Sequence, residues 1–267
     1  MNKQIGVLGC GWLGLPLAKH LVDQGNIVFG TTTSSKKLFE LQQARIKPFQ
    51  IELGEEQISG DINGFLQDLE ILILNIPPKL RKPPFEDYVL KIKHLKDKII
   101  DSRLKKVIFI SSTSVYGDVT GEITEESKTS PNTKSGKALL ECEQMLAQEQ
   151  NFNTTILRFG GLIGKDRHPI TFLSGKKNLT NGDDFINLIH QNDCIGIIEK
   201  VINEEHWGKV INGVYPNHPK KRDYYIAEAK KRNLQVPDFV NTNLKSTKKI
   251  IKSRNFRYSY SFPITTT

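Results

Sequence analysis

The chain has 267 residues, of which 37% are hydrophobic and 25% charged, enough to bury one large core and unlike the composition of a disordered segment. No apolar run approaches the roughly 20 residues of a membrane span, and Met1 to Gly6 runs straight into a strand pattern without a secretory signal, so no membrane partner and a cytoplasmic location are expected. Of the formal charge of +9, almost all falls in residues 201–267, which hold 13 Lys+Arg against 5 Asp+Glu.

That basic bias reads first as a solvated surface and second as attraction for an anionic small molecule, such as a nucleotide-linked sugar. Nucleic acid ranks third, because few aromatics interleave the charges and no reader module is visible. Cys10, Cys142 and Cys194 are odd in number, far apart and without metal spacing. They read as buried, reduced thiols, and no metal site is expected.

In chain order, Ile5–Leu8 is a short apolar run ending at Gly9, and Leu13, Leu17 and Leu21 then recur at helical spacing. Further strands are expected at 27–30, 49–53, 71–74, 107–110 and 155–157. Helical patterns lie at 34–45, 86–102 and 136–149. Pro77-Pro78 and Pro83-Pro84 mark a surface loop. Near-continuous apolar strands alternating with amphipathic helices predict an α/β, Rossmann-type doubly wound parallel sheet. After about residue 165 the rhythm breaks. The expected division is a Rossmann-type domain over 1–165, joined by part of 186–215, and a small basic C-terminal lobe over 166–267. Glu125-Glu126 and Asp183-Asp184 read as solvated loops.

Gly9-Cys10-Gly11-Trp12-Leu13-Gly14 is G-x-G-x-x-G, placed after a predicted strand and opening a predicted helix. Gly9 permits the tight turn, Gly11 lets the backbone approach a pyrophosphate, and Gly14 allows close helix–strand packing. The helix N-terminus adds free N–H groups and a positive dipole end. After the second strand, Thr31-Thr32-Thr33-Ser34-Ser35-Lys36-Lys37 offers hydroxyls and lysines, with no carboxylate between Asp23 and Glu40 for a ribose 2′-OH. NADP is therefore expected over NAD, the alternative for Lys36 and Lys37 being a solvated helix start.

With these segments in place, the chain resembles the extended short-chain dehydrogenase/reductase superfamily, the NAD-dependent epimerase/dehydratase group. Ser111-Ser112-Thr113-Ser114-Val115-Tyr116-Gly117 is similar to its fifth-strand segment, Leu157-Arg158 through Gly164 to its sixth-strand segment, and Asn187 through Asp193 to its N-x-I-H-x-x-D turn. The departures are the G-x-G-x-x-G spacing and Thr133, which stands where the family has its catalytic tyrosine, four residues before Lys137. The chain looks like an atypical, uncharacterised epimerase-like subgroup of that superfamily.

The resemblance implies a cofactor set of Gly9, Gly11, Trp12, Leu13, Gly14, Thr31, Thr32, Ser34, Lys36, Lys137 and Phe159. It implies Ser112 and Lys137 as catalytic, with Thr133 able to orient a substrate but too basic as an alkoxide to replace a phenol. Tyr116 and His168 are the candidate proton carriers. Tyr116, Arg167 and His190 are candidates for touching substrate, and Arg158 is expected to be structural. The function implied is an NAD(P)-binding oxidoreductase or epimerase-like enzyme acting on a polar, nucleotide-sugar-like metabolite. The alternative is a catalytically silent NAD(P)-binding sensor or regulatory protein. A homodimer through the helices near 86–102 and 136–149 is a further expectation.

Overall fold

The protein is represented by a computed structural model that describes residues 2–80, 83, 85–240 and 248–265. Pro84, in the second proline pair, lies outside the described residues. The first half runs β1 (Gln4–Leu8), α1 (Gly14–Asp23), β2 (Ile27–Thr32), α2 (Leu38–Gln43), β3 (Lys47–Gln50), β4 (Glu52–Leu53), β5 (Ile58–Ser59), α3 (Ile62–Leu66), β6 (Ile71–Leu74) and α4 (Tyr88–Ile100). It continues through β7 (Lys106–Ser112), β8 (Gly121–Ile123), α5 (Lys134–Ala147), β9 (Asn153–Phe159), β10 (Gly161–Ile163) and α6 (Ile170–Leu173). The last elements are β11 (Leu188–His190), α7 (Gln191–Asn203), β12 (Val210–Gly213), α8 (Lys221–Lys231) and β13 (Lys249–Ile251).

Seven strands form one parallel sheet in the order β12-β9-β7-β6-β1-β2-β3. The apolar runs form its centre because both faces are covered. Along β6, Leu72 and Leu74 enter the core layer shared with α3, α4 and α5, while Ile71 and Ile73 enter the opposite layer with α1 and α7. This is the period-2 alternation of a strand with apolar residues on both sides. The chain reverses direction of travel across the sheet between β1 and β6, which opens a crevice at their carboxyl ends, the place where ligands bind in open α/β sheets.

The differences from expectation are local. The predicted third strand over 49–53 divides: β3 ends at Gln50, and Glu52–Leu53 turns away to pair antiparallel with Ile58–Ser59. The predicted helix over 34–45 is a short 3₁₀ turn, Ser35–Lys37, followed by α2. The seventh strand, β12, carries only a short apolar stretch, Val210-Ile211, before Asn212, too little to announce a strand. α7 lies against α1, where His20 Nε2 meets Glu199 Oε2 at 2.9 Å.

A third apolar cluster, around Ile163, Ile170, Ile186, Leu188, Tyr224, Tyr225 and Ile264, gathers β10, β11, α6, α8 and the C-terminal tail. Most lysines at the start of α8 are paired: Lys220 meets Asp183 at 3.2 Å and Lys221 meets Asp184 at 2.9 Å. The acidic pair expected to be solvated therefore neutralises part of the basic surface. Glu125 likewise accepts from Asn212 N, Ser253 Oγ and Arg254 N, tying the loop after β8 to β12 and the tail. The three thiols are buried, and burial pushes Cys10 and Cys142 up to about 12 and Cys194 well above its usual value. Among the described residues no helix is long and apolar enough to cross a membrane, and no His/Cys/Asp/Glu group is placed to hold a metal ion.

Candidate functional site

The glycine loop follows β1 because each glycine meets a different steric demand. Gly9 has φ of +104°, and a Cβ on it would lie 2.6 Å from Asn75 O. A Cβ on Gly14 would lie 2.1 Å from Gly9 O, so α1 enters close against the strand end. A Cβ on Gly11 would meet no atom within 4 Å: that glycine faces open space at the crevice. The loop is fixed from beneath by Thr31, whose Oγ1 accepts from Gly9 N at 2.9 Å, and by Asn75, whose Nδ2 donates to Gly9 O at 3.0 Å. Among the described residues the backbone N–H groups of Trp12 and Leu13 carry no hydrogen bond. Free N–H groups and open space above Gly11 fit the phosphates of a dinucleotide.

Trp12 joins this loop to the chain after β10. Its Nε1 donates to Asp166 Oδ1 at 2.9 Å, its carbonyl accepts from Gln191 Nε2 at 2.5 Å, and the Arg167 guanidinium lies 4.9 Å above its ring. Arg167 is exposed and stands beside the glycine loop. Asn75, Asp166 and Gln191 were missed in the sequence. Asn75 alone had a signal, since it directly follows the apolar Ile71–Leu74 run at its carboxyl end.

At the end of β2, the expectation that Thr31 and Thr32 contact the cofactor is corrected. Both are buried, Thr31 is spent on Gly9, and Thr32 Oγ1 accepts from Ser34 N at 3.2 Å. The groups left exposed are Thr33, Ser35, Lys36 and Lys37, with Ser34 half-buried. Leu13 also turns its side chain into the core, leaving only its backbone to the crevice. Phe159 is 2% exposed and packs so tightly under Gly213 that a Cβ there would lie 2.4 Å from its ring, so its side chain does not reach the crevice.

At the carboxyl end of β7, Ser112 Oγ accepts from Ser114 N at 3.1 Å and caps the 3₁₀ turn Thr113–Tyr116. Its oxygen is thereby oriented while its proton remains free to donate. α5 packs its first turn against this turn, allowed by Gly136, where a Cβ would sit 2.9 Å from Ser114 O. Lys137 is exposed on that first turn.

Thr133 is the N-cap of α5: its backbone is extended and its Oγ1 accepts from Gly136 N at 3.0 Å. Its hydroxyl thus satisfies an orphan donor of the helix that presents Lys137. Thr133→Ala is expected to lower stability by about 1 kcal/mol, with Thr133→Asp retaining the wild-type value, as read by urea unfolding. An alanine variant as stable as wild type would show the cap to be idle.

Both expected proton carriers are buried elsewhere, which corrects their placement at the crevice. Tyr116 is fully buried, its OH donating to Asn212 Oδ1 at 2.8 Å and accepting from Arg158 Nη1 at 2.9 Å. Burial pushes its phenol above the usual value, against the pull of Arg158. Arg158 is held in turn by Glu143, whose Oε2 accepts from Nη2 at 2.6 Å and whose Oε1 accepts from Ser111 Oγ at 2.5 Å. His168 is 3% exposed in the third cluster, with Nε2 2.9 Å from Tyr224 OH and 3.6 Å from Glu228 Oε2, and its Nδ1 accepting from Ile170 N. Burial, aided by nearby Arg232, lowers its pKa to about 4, so it is neutral and structural near pH 7.

His190 caps α7, its Nδ1 accepting from Asn192 N at 3.2 Å, while its ring stacks on Phe262 at 4.0 Å. Its Nδ1 and its ring are thus engaged by helix and tail, while the residue remains half-buried. Asp193 accepts from Ser261 N at 2.8 Å and Phe262 N at 3.3 Å, pinning the tail to α7. Exposed positions carry Lys93 and Asp97 on α4 and Glu141 and Gln144 on α5, beside the half-buried Leu140 and Met145.

The parallel sheet order and the glycine loop at its switch point form a Rossmann-type fold. No family model matches the chain. Solved structures with this fold include UDP-glucose 4-epimerase from Thermotoga maritima, determined with UDP-glucose, with a TM-score of 0.76, 17% identity, and 93% of this chain and 89% of that one covered. UDP-glucuronic acid 4-epimerase from Bacillus cereus, determined with NAD, matches with a TM-score of 0.76, 18% identity, and 94% and 89% coverage. Protein YeeZ from Escherichia coli (strain K12) is 32% identical over 270 residues, 98% of each chain, and the present chain belongs to the same family.

Proposed function

We propose that this protein binds a nicotinamide dinucleotide at the glycine loop, with NADP preferred, and acts as an oxidoreductase or epimerase-like enzyme on a polar, sugar-like metabolite. The observation that carries the reading is the loop itself: Gly11 faces open space between two glycines that admit no side chain. The named neighbours whose structures hold NAD or nucleotide sugars support the same reading through their shared fold. Gly9, Gly11, Gly14 and the N–H groups of Trp12 and Leu13 would hold the pyrophosphate. Ser34 and Lys36 would face the adenosine ribose, and Lys137 the nicotinamide ribose. The nicotinamide, when bound, supplies hydride exchange at its C4. Ser112, its oxygen fixed by Ser114 N, donates a hydrogen bond to the reacting oxygen of the substrate. Thr133 holds the helix that carries Lys137.

A second reading, a silent cofactor-binding sensor, is favoured by one observation: Tyr116, His168 and Thr133 all have structural partners. Turnover separates the two. An enzyme loses NADPH-dependent activity in Ser112→Ala and Lys137→Ala; a sensor binds NADPH and turns over no carbonyl or nucleotide-sugar substrate. Selectivity is tested by calorimetry. NADPH is expected to bind at least about tenfold more tightly than NADH, with the advantage lost in Lys36→Ala/Lys37→Ala. Tighter binding of NADH would overturn the preference.

A further inference from the structure

The described residues place one more cation at the carboxyl edge of the sheet. Lys249, the first residue of β13, is half-buried, and its Nζ donates to Gly117 O at 2.6 Å. Gly117 follows the 3₁₀ turn capped by Ser112, and its φ of +67° brings it so near Ser130 that a Cβ would lie 2.0 Å from Ser130 O. Ser130 opens the segment that leads to Thr133 and Lys137. On the other side, the Asn187 amide brackets the strand: Nδ2 donates to Lys249 O and Oδ1 accepts from Ile251 N, while Asn187 O accepts from Gly161 N just past β9. Register with β8, Lys249 opposite Gly121, completes the hold. The ammonium is therefore set, by three separate segments, above the ends of β7 and β9.

What it lacks is a counter-charge. Among the described residues no carboxylate lies within ion-pair distance of Lys249, whereas Lys220 and Lys221 at the start of α8 each have one. Asp118 and Asp184 act on it from a distance, and Lys221 opposes them. Burial correspondingly lowers its pKa. One of its three protons is used by Gly117, and two remain for a ligand. A half-buried ammonium is costly to keep unpaired, and a backbone carbonyl orients it without neutralising it.

We infer that Lys249 is a substrate-anchoring residue that binds an anionic oxygen, phosphate or carboxylate, of the molecule occupying the substrate end of the crevice. The assignment rests on the nucleotide-binding reading for what lies beside it, but the anion site itself stands on Lys249 alone. The full-length protein, with and without saturating NADPH, is labelled with acetic anhydride in the presence of pyrophosphate or malonate, and modification at each lysine is followed by mass spectrometry. Labelling of Lys249 is expected to slow at least about fivefold with one or both anions, while exposed Lys19 on α1 is unaffected. Protection by pyrophosphate alone identifies a phosphate site, and by malonate alone a carboxylate site. Calorimetry with the protecting anion should show at least about tenfold weaker binding in Lys249→Met and near-wild-type binding in Lys249→Arg. Protection without any NADPH binding would retain the anion site and remove the nucleotide reading. Equal labelling with and without both anions, or unaltered anion binding in Lys249→Met, would overturn the inference.

Discussion

Glu143→Ala is expected to destabilise the protein by about 3–5 kcal/mol, a large share of the 5–15 kcal/mol that typically holds a domain together. Glu143, on α5, is 2% exposed, and its carboxylate accepts from Ser111 on β7 and from Nε and Nη2 of Arg158 on β9. Arg158 passes the connection to Tyr116, and Tyr116 passes it to Asn212 on β12. Removing the carboxylate leaves a guanidinium, 8% exposed, with no counter-charge. The cost arises from that stranded charge more than from the pair itself. Glu143→Leu combined with Arg158→Met should accordingly recover most of the loss. Urea unfolding of both variants measures this. A single variant within about 1 kcal/mol of wild type would mean that water or a rearranged side chain neutralises Arg158.

The second large effect concerns binding. Gly11→Leu is expected to weaken NADPH binding by about 100-fold, equivalent to about 2.7 kcal/mol, with thermal stability close to wild type. The two halves of that expectation have one cause. No atom lies within 4 Å of a Cβ at Gly11, so the side chain costs the fold nothing, but it occupies the space above the loop where the pyrophosphate approaches. Gly14→Ala is the contrasting control. Its Cβ would collide with Gly9 O, so it should lower stability as well as affinity. Retention of full NADPH affinity by Gly11→Leu would place the nucleotide elsewhere.

Much of the fold was legible because it rests on patterns that local sequence carries. Ile71-Leu72-Ile73-Leu74 can only be a strand buried on two faces, and the Gly9–Gly14 spacing states its own turn and helix entry. β12 was not legible as a strand. Its Asn212 is polar because it completes the Tyr116–Arg158 network, a partnership 96 residues away. The glycine loop was readable in its tight turn and close helix entry, where backbone demands fix the residue type. The sequence was misleading where residue type alone suggested chemistry. Tyr116 and His168 have the right functional groups, but their burial and partners are set by residues far along the chain, Asn212 and Tyr224. Thr133 caps α5, a local role visible from its place three residues before Gly136. Lys249 was hidden among other basic residues of the C-terminal region. Only the fold separates it from its paired neighbours.

The central claim is that the glycine loop binds a nicotinamide dinucleotide. Trp12 lies within that loop and is one of only two tryptophans in the chain, which makes its fluorescence a direct reporter. Titration of the wild-type protein with NADPH should give a saturable change in tryptophan emission, tighter than with NADH and strongly weakened in Gly11→Leu. An emission that changes only in proportion to added nucleotide, without saturation for either cofactor, would contradict the account.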